Sequence, residues 1–516
     1  MTTDSNSKRI AKNTLVLYVR MLFLMAVSLY TSSVVLDALG VDDYGIYNVV
    51  GGVVAMFTMI SGSLSAAISR FITYELGKGS QESLKVVFSS SVFIQLLLSA
   101  AFIVIAETLG LWFLNAKLNI PPDRMYAANW VYQLSIVTFA VNLISIPYNA
   151  AIVAHEQMTA FAYISIFEGL AKLIVAFIIV KATTDKLILY ALLIALIAVI
   201  VRIVYGIYCK RKFEECTIHL KYNRSVFNQI FSFAGWNIIG AASAVCRDQG
   251  GNIIINLFHG PAVNAARGVA MQVCTAINGF VSNFQMALNP QITKNYASGN
   301  MQYMLSLVFK GARFSYYILW LISLPVIVKA DYILSLWLVE VPEHAVQFLQ
   351  LVIIFSLCES LSGPLMTSMY ATGEVKYYQI VVGGLQLLNL PLAYVCLLYG
   401  LPPESVFVVS IILSLVCLIA RLQMLKPLIN IPRLKFIKEV CLRTFLVTIV
   451  SLIPAISISR LLDESFLYFV VEVIVCLIVS SVSILYIGCY KEERELVFMR
   501  IHELIKKILS RDNNNR

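Results

Sequence analysis

Charge is scarce in this 516-residue sequence: Asp, Glu, Lys and Arg make up 13% of it, while 59% of residues are hydrophobic. A soluble domain of average composition carries roughly 25% charged residues, so there is too little polar material here to cover a water-facing surface. Paired cysteines are also missing. The ten cysteines show neither disulfide nor metal-ligand spacing and mostly lie inside apolar runs, where they serve as small packing residues. No GxxxxGK[ST] phosphate loop occurs, so ATP is not expected as a cofactor, nor is any other. No loop on the outer side is long enough to fold into a catalytic domain, and His259 and His344 are isolated. These absences leave an integral membrane protein, as the mean hydropathy of +0.81 also requires.

Apolar runs bounded by charge or by Pro, Gly and Asn clusters predict 14 spans, numbered here in order: 13–39, 44–71, 84–114, 124–152, 158–180, 187–208, 226–257, 262–289, 304–338, 344–371, 376–400, 403–424, 443–462 and 466–489. The first run is too long for a signal-peptide core and no small-residue cleavage site follows it, so it reads as an uncleaved span. The 39 Lys and Arg outnumber the 29 Asp and Glu. In a soluble protein this surplus would suggest nucleic acid. Here about 30 basic residues fall on the side of the N-terminus, whereas Lys117, Arg124, Lys181, Lys186, Lys329 and Arg460 gather on the other. The bias predicts cytoplasmic termini and an even number of spans. Beyond span 14, Val497, Ile501, Leu504, Ile505 and Ile508 recur at helical spacing among charges. They predict either an amphipathic helix on the inner membrane surface or a solvated tail helix.

The chain also repeats itself. A shift of 220 positions lays Gly40 on Gly260, Val49 on Val269, Val53 on Val273, Ala67 on Ala287, Ile72 and Thr73 on Ile292 and Thr293, and Gly79 on Gly299. Leu111-Trp112 and Leu336-Trp337 close spans 3 and 9, and Pro147 with Ala154 answers Pro364 with Ala371. Six helices separate the copies, so the halves share one orientation and are related by an axis along the membrane normal. The expected organisation is an all-α polytopic protein with an N-terminal lobe at 1–212, a C-terminal lobe at 213–425, two appended spans within 426–490 and a tail at 491–516.

Several ionisable residues fall inside the spans: Arg20, Glu168, Lys172, Arg247, Asp248, Arg267, Glu359 and Glu472. An ionised side chain at the bilayer centre costs at least about 2.5 to 3.5 kcal/mol, so such residues turn into a cavity or pair. Glu168 and Lys172 have the spacing of an intrahelical ion pair, which could brace span 5 or serve function. Arg247 and Asp248 project about 100 degrees apart on an ideal helix, which speaks against simple mutual neutralisation. Asp248, Asn252 and Asn256 form a polar stripe on span 7, and Thr275, Asn278, Ser282, Gln285 and Asn289 form another on span 8. These stripes predict a water-filled cavity or polar helix packing. With Arg20, Lys172, Arg247 and Arg267 outnumbering the acids, a cavity would favour anionic cargo, because guanidinium suits bidentate binding of phosphate or carboxylate. Arg20, about two turns above the cytoplasmic end of span 1, could instead snorkel to headgroups.

The stretch NTLVLYVRMLFLMAVSLYTSSVVLDALGVDDYGIYNVVGGVVAMF at 13–57, with RFITYELGKG at 70–79, resembles the start of bacterial polysaccharide flippases; DYGIYNVVGG at 43–52 is the most characteristic part. That family shares a superfamily with lipid II flippases and multidrug and toxin extrusion transporters. The resemblance implies translocation of an undecaprenyl-diphosphate-linked oligosaccharide from the cytoplasmic to the periplasmic leaflet of the bacterial inner membrane, for O-antigen, capsule or exopolysaccharide assembly. It implies an alternating-access cavity between lobes with cationic residues facing the diphosphate. Arg20, Arg247 and Arg267 match that pattern, and Lys172 joins them as a substrate-binding candidate from the charge count above. Asp248 or Glu168 would respond to a coupling ion, and Asn252, Asn256, Asn278 and Gln285 would line the cavity. Spans 13 and 14 would accommodate the lipid tail, although Glu472 interrupts an apolar groove there. Membrane lipids and other polysaccharide assembly proteins are the expected partners, and a monomer is expected. The rival expectations are a multidrug or cation antiporter and a polymerase or ligase of polysaccharide assembly.

Overall fold

The computed structural model describes residues 3–495 except 56–57, 118–119, 218–222, 339–340, 460 and 462–464, together with 498–499. Every regular element among the described residues is a helix. Hydrocarbon offers no hydrogen bonds, so each span must satisfy its own backbone, and a helix does so within one segment. Twelve helices are long and apolar enough to cross a membrane. Several match expectation closely, such as Met158–Val180 for span 5 and Lys186–Lys212 for span 6. Residues 41–55 with Thr58–Lys78, and residues 261–297, are helical where spans 2 and 8 were expected. The chain is thus a polytopic all-α membrane protein. Residues 501–516 of the expected tail helix, and Val497, lie outside the described residues.

Lipid-facing sides are written in the exposure pattern. On Lys186–Lys212, Leu192, Leu196, Ile200, Ile203 and Ile207 are all exposed and recur every three or four residues, while Leu187, Ala191, Ala195, Val201 and Tyr205 are buried. Such a helix is apolar all round because both lipid and protein are apolar neighbours.

The internal repeat extends to the backbone. Gly40 (φ 79°, ψ 167°) and Gly260 (φ 79°, ψ −176°) each join two helices with no intervening loop. That conformation is essentially restricted to glycine. Gly79 and Gly299, the other matched pair, both have φ 76° at the end of a helix. Two copies of one pattern therefore fold alike.

The chain forms two compact units. The first comprises Met1–Val245, Asn283–Met304 and Thr367–Gly384; the second comprises Cys246–Ser282, Leu305–Met366 and Leu385–Arg516. In the first unit Met125–Ala154 packs on Lys186–Lys212, and span 1 on span 5. Phe88 meets Tyr148 edge to face at 5.2 Å in its core. Arg124 ties Asp43 and Asp185 together, donating at 2.8 and 2.7 Å. In the second unit Ala345–Ser360 packs on Ser405–Ile429, and Leu442–Ser459 on Phe466–Ser483. Arg313, 2% exposed, donates to the Gly488 carbonyl at 3.0 Å and to Glu493 at 2.7 Å.

Candidate functional site

In the first unit, spans 1, 5 and 6 enclose a cavity of about 370 Å³ lined by Arg20, Leu24, Val27, Ser28, Thr31, Ser165, Glu168, Gly169, Lys172 and Tyr190. The span 1 contributors fall at i, i+4, i+7, i+8 and i+11, so they form one helical stripe. Gly169 lets the two helices close up: a Cβ there would lie 2.5 Å from Leu24 Cδ2. Three of the intramembrane charges expected from sequence thus meet in one place. Lys172 Nζ donates to Glu168 Oε1 at 2.6 Å, one turn along the same helix. The Arg20 guanidinium lies 4.4 Å from the Phe161 ring centroid, within electrostatic range of Glu168. Its Nε is buried with no hydrogen-bond partner among the described residues. A guanidinium held by an aromatic face and left short of acceptors can take an anionic oxygen. Ser28, Thr31 and Ser165 add hydroxyls beside it. Their helical spacing from Arg20 and Glu168 is the signal by which they could have been found; apolar neighbours on the same faces concealed it.

The second unit holds the other expected charges in tighter surroundings. Arg247 Nε donates to Asp248 Oδ1 at 2.9 Å. This corrects the reading that side chains about 100 degrees apart cannot neutralise each other, because the guanidinium is long enough to reach the neighbouring carboxylate. Arg247 also lies over the Phe355 ring at 4.9 Å and lines a small cavity with Glu359, Gln386, Asn389, Ser410 and Ser414. Arg267 is 5% exposed, donates to Asn252 Oδ1 and lies 5.7 Å from the Phe407 ring centroid. A Cβ on Gly251 would sit 3.0 Å from its Nη2, so glycine makes the room that the guanidinium fills. Asn278 donates to Ser356 Oγ at 3.1 Å, and Asn256 is exposed. Gln285 is half-buried and falls in the first unit.

Other buried charges were not singled out beforehand. Arg421, 1% exposed, donates to Ser362 at 2.8 Å and lies 3.7 Å from Glu359, which also accepts from Ser414 at 2.7 Å. Glu156, 5% exposed at the end of span 4, accepts from several donors. Such residues near span ends are indistinguishable in sequence from topological charges until their partners are known. Glu472, expected to interrupt an apolar groove, is instead buried 3.2 Å from Lys329.

The family model described as "Polysaccharide biosynthesis protein" matches residues 10–296, more than half of the chain. The chain belongs to this family. No curated protein matches it. Among solved structures, this family member resembles an outward-facing multidrug resistance MATE family transporter of the MOP superfamily, with TM-score 0.70, 12% identity, and coverage of 83% of this chain and 99% of the other. It also resembles a MOP superfamily transporter from Pyrococcus furiosus, with TM-score 0.68, 13% identity, and coverage of 83% and 99%. A Vibrio cholerae MATE transporter mutant gives TM-score 0.66, 16% identity, and coverage of 82% and 98%. At these identities the fold is what is shared: a multi-pass membrane architecture of transporter type.

Proposed function

We propose that this member of the polysaccharide biosynthesis family is a flippase that moves an undecaprenyl-diphosphate-linked oligosaccharide from the cytoplasmic to the periplasmic leaflet of the bacterial inner membrane. The two repeats act as lobes around the path, spans 13 and 14 attend the lipid tail, and both termini are cytoplasmic. The observation that carries the reading is Arg20, its Nε without a hydrogen-bond partner, beside Lys172 and three hydroxyls in a cavity of about 370 Å³. A sugar-diphosphate head cannot cross hydrocarbon unaided, whereas a prenyl tail can remain in lipid. The protein therefore needs a polar, basic path and no covalent chemistry. Arg247 and Arg267, each already engaged by one side chain, are the corresponding intramembrane cations of the second unit. Asp248 and Glu168 are the candidates for ion response.

A hydrogen bond to a charged group contributes about 1.5 to 3 kcal/mol, which is roughly a tenfold to hundredfold change in binding. In a flippase-null strain, the parent gene is expected to restore surface glycan. Arg20→Ala is expected to lower it by about tenfold or more while lipid-linked repeat units accumulate, with Arg20→Lys intermediate because lysine keeps the charge and loses the fork. Normal glycan export by Arg20→Ala, Arg247→Ala and Arg267→Ala alike would refute the cationic path. The fold likeness to multidrug transporters favours one second reading, a drug exporter; drug resistance without restored glycan is its signature.

A further inference from the structure

Within the first unit, Glu156 is the hub of a buried polar cluster. It has φ 59° and its carboxylate is reached from two distant parts of the chain. Arg9 Nε, at the start of span 1, lies 2.9 Å from Oε2. Gln291 Nε2 donates to Oε2 at 2.6 Å and Lys294 Nζ to Oε1 at 2.9 Å, both from the end of the helix that fills span 8. Asn13 donates to the Glu156 carbonyl at 3.2 Å. A second set of bonds runs the opposite way between the repeats. Arg70, at the end of span 2, donates through Nε to the Tyr370 carbonyl at 2.9 Å and through Nη2 to the Ala371 carbonyl at 3.0 Å, at the end of span 10.

The repeat makes these two sets counterparts, at a shift of 220 residues for Arg70 and of 217 for Ala371, which answers Ala154. Arg70 and Gln291 occupy positions one residue apart in the repeat register, and Tyr370 and Ala371 answer the end of span 4 that leads to Glu156. Between them, the ends of the span 2 and span 8 helices touch at repeat-equivalent positions: a Cβ on Gly77 would lie 2.7 Å from Ala297 Cβ and from the Lys294 carbonyl. The Tyr74 and Tyr296 rings are 6.3 Å apart beside that contact. Helices this close cannot be slightly ajar, because the contact is backbone against backbone. Either they pack with glycine or they separate.

We infer that these contacts form a pseudo-symmetric lock, with Glu156 and Arg70 as its two bolts, which holds the repeats together on the face bearing the N-terminus and must release for cargo to load from that face. The inference rests on the flippase reading for what is loaded, but not for the lock itself. A buried carboxylate satisfied by one neutral and two cationic donors is stable only while all are present, since losing the partners leaves an uncompensated buried charge. The glycine contact and the arginine-to-carbonyl bonds then make opening all-or-none. Cargo competing for the cations would bias it towards the open state.

The test is the rate at which a membrane-impermeant maleimide, added to inside-out vesicles, labels a single cysteine at Ile292, fully buried beside the lock, in an otherwise cysteine-free protein. Labelling is expected to be slow in the parent and faster by about tenfold or more in Glu156→Ala and in Arg70→Ala. Glu156→Lys is expected to label fast, and adding Lys294→Glu to slow it again by restoring an opposite-charge pair. Unchanged rates in both alanine variants overturn the lock. Equal acceleration at a control cysteine replacing Leu425, fully buried at the end of span 12 that faces the same side as the N-terminus, means general loosening and overturns it as well. Because labelling reads opening and complementation reads cargo, failure of the flippase reading leaves this result standing.

Discussion

Lys329 and Glu472 lie 3.2 Å apart, with side chains only 14% and 4% exposed. Neither charge has water to fall back on, so each is tolerable only because of the other. Breaking a buried pair from one side costs about 3 to 5 kcal/mol, whereas replacing both partners by apolar groups is often neutral. Lys329→Ala is therefore expected to lower the thermal unfolding midpoint in detergent clearly, and Lys329→Met combined with Glu472→Leu to recover most of the loss. A double variant as unstable as the single one would show that the site depends on more than the charge pair. The same residue-level logic explains what could be read from sequence at the candidate site. Arg20, Glu168 and Lys172 stood out because charge inside an apolar run is expensive, and they share a cavity. Glu156, Arg70 and Arg421 did not, because near a span end a charge costs little and only its partner reveals a role.

At the scale of helices, glycine decides where the chain may turn without a loop. Gly40 and Gly260 adopt φ 79° with ψ near 180° and have open space around them, so a substituted Cβ meets no neighbour and the penalty is purely conformational. Backbone strain of this kind costs of order 1 to 3 kcal/mol. Gly40→Ala and Gly260→Ala are each expected to lower the unfolding midpoint. Gly62→Ala, in a helix interior with nothing within 4 Å, is expected to leave it unchanged or raise it slightly. Equal effects at all three positions would mean that the two joints are not strained in the way their angles indicate. The pairing of Gly40 with Gly260 was legible in the repeat. The absence of any loop there was not, because a glycine between apolar runs reads equally well as a turn of several residues.

Across the whole molecule, the apolar runs made the helical architecture legible because hydrocarbon permits so few alternatives. Hydropathy had less to say elsewhere: residues 41–55, Thr58–Lys78 and 261–297 are helical but are not among the twelve helices long and apolar enough to cross a membrane. Energy supply is a property of this same scale. No phosphate loop occurs in the sequence, and on the proposed flippase reading a headgroup with about two negative charges moving outward gains about 2.3 kcal/mol per charge for each 100 mV of inside-negative potential. That gain is comparable to the cost of opening a buried ion-paired contact such as the Glu156 cluster, so the potential alone could bias a cycle. In vesicles containing the protein and a lipid-linked oligosaccharide, collapsing the potential with valinomycin and potassium is expected to slow translocation. If a coupling ion also acts through Asp248 or Glu168, Asp248→Asn or Glu168→Gln is expected to abolish the remaining response to an ion gradient while the response to potential persists. Translocation that continues unchanged with every gradient collapsed would remove both forms of coupling and leave flipping as facilitated equilibration, driven only by consumption of the product on the far side.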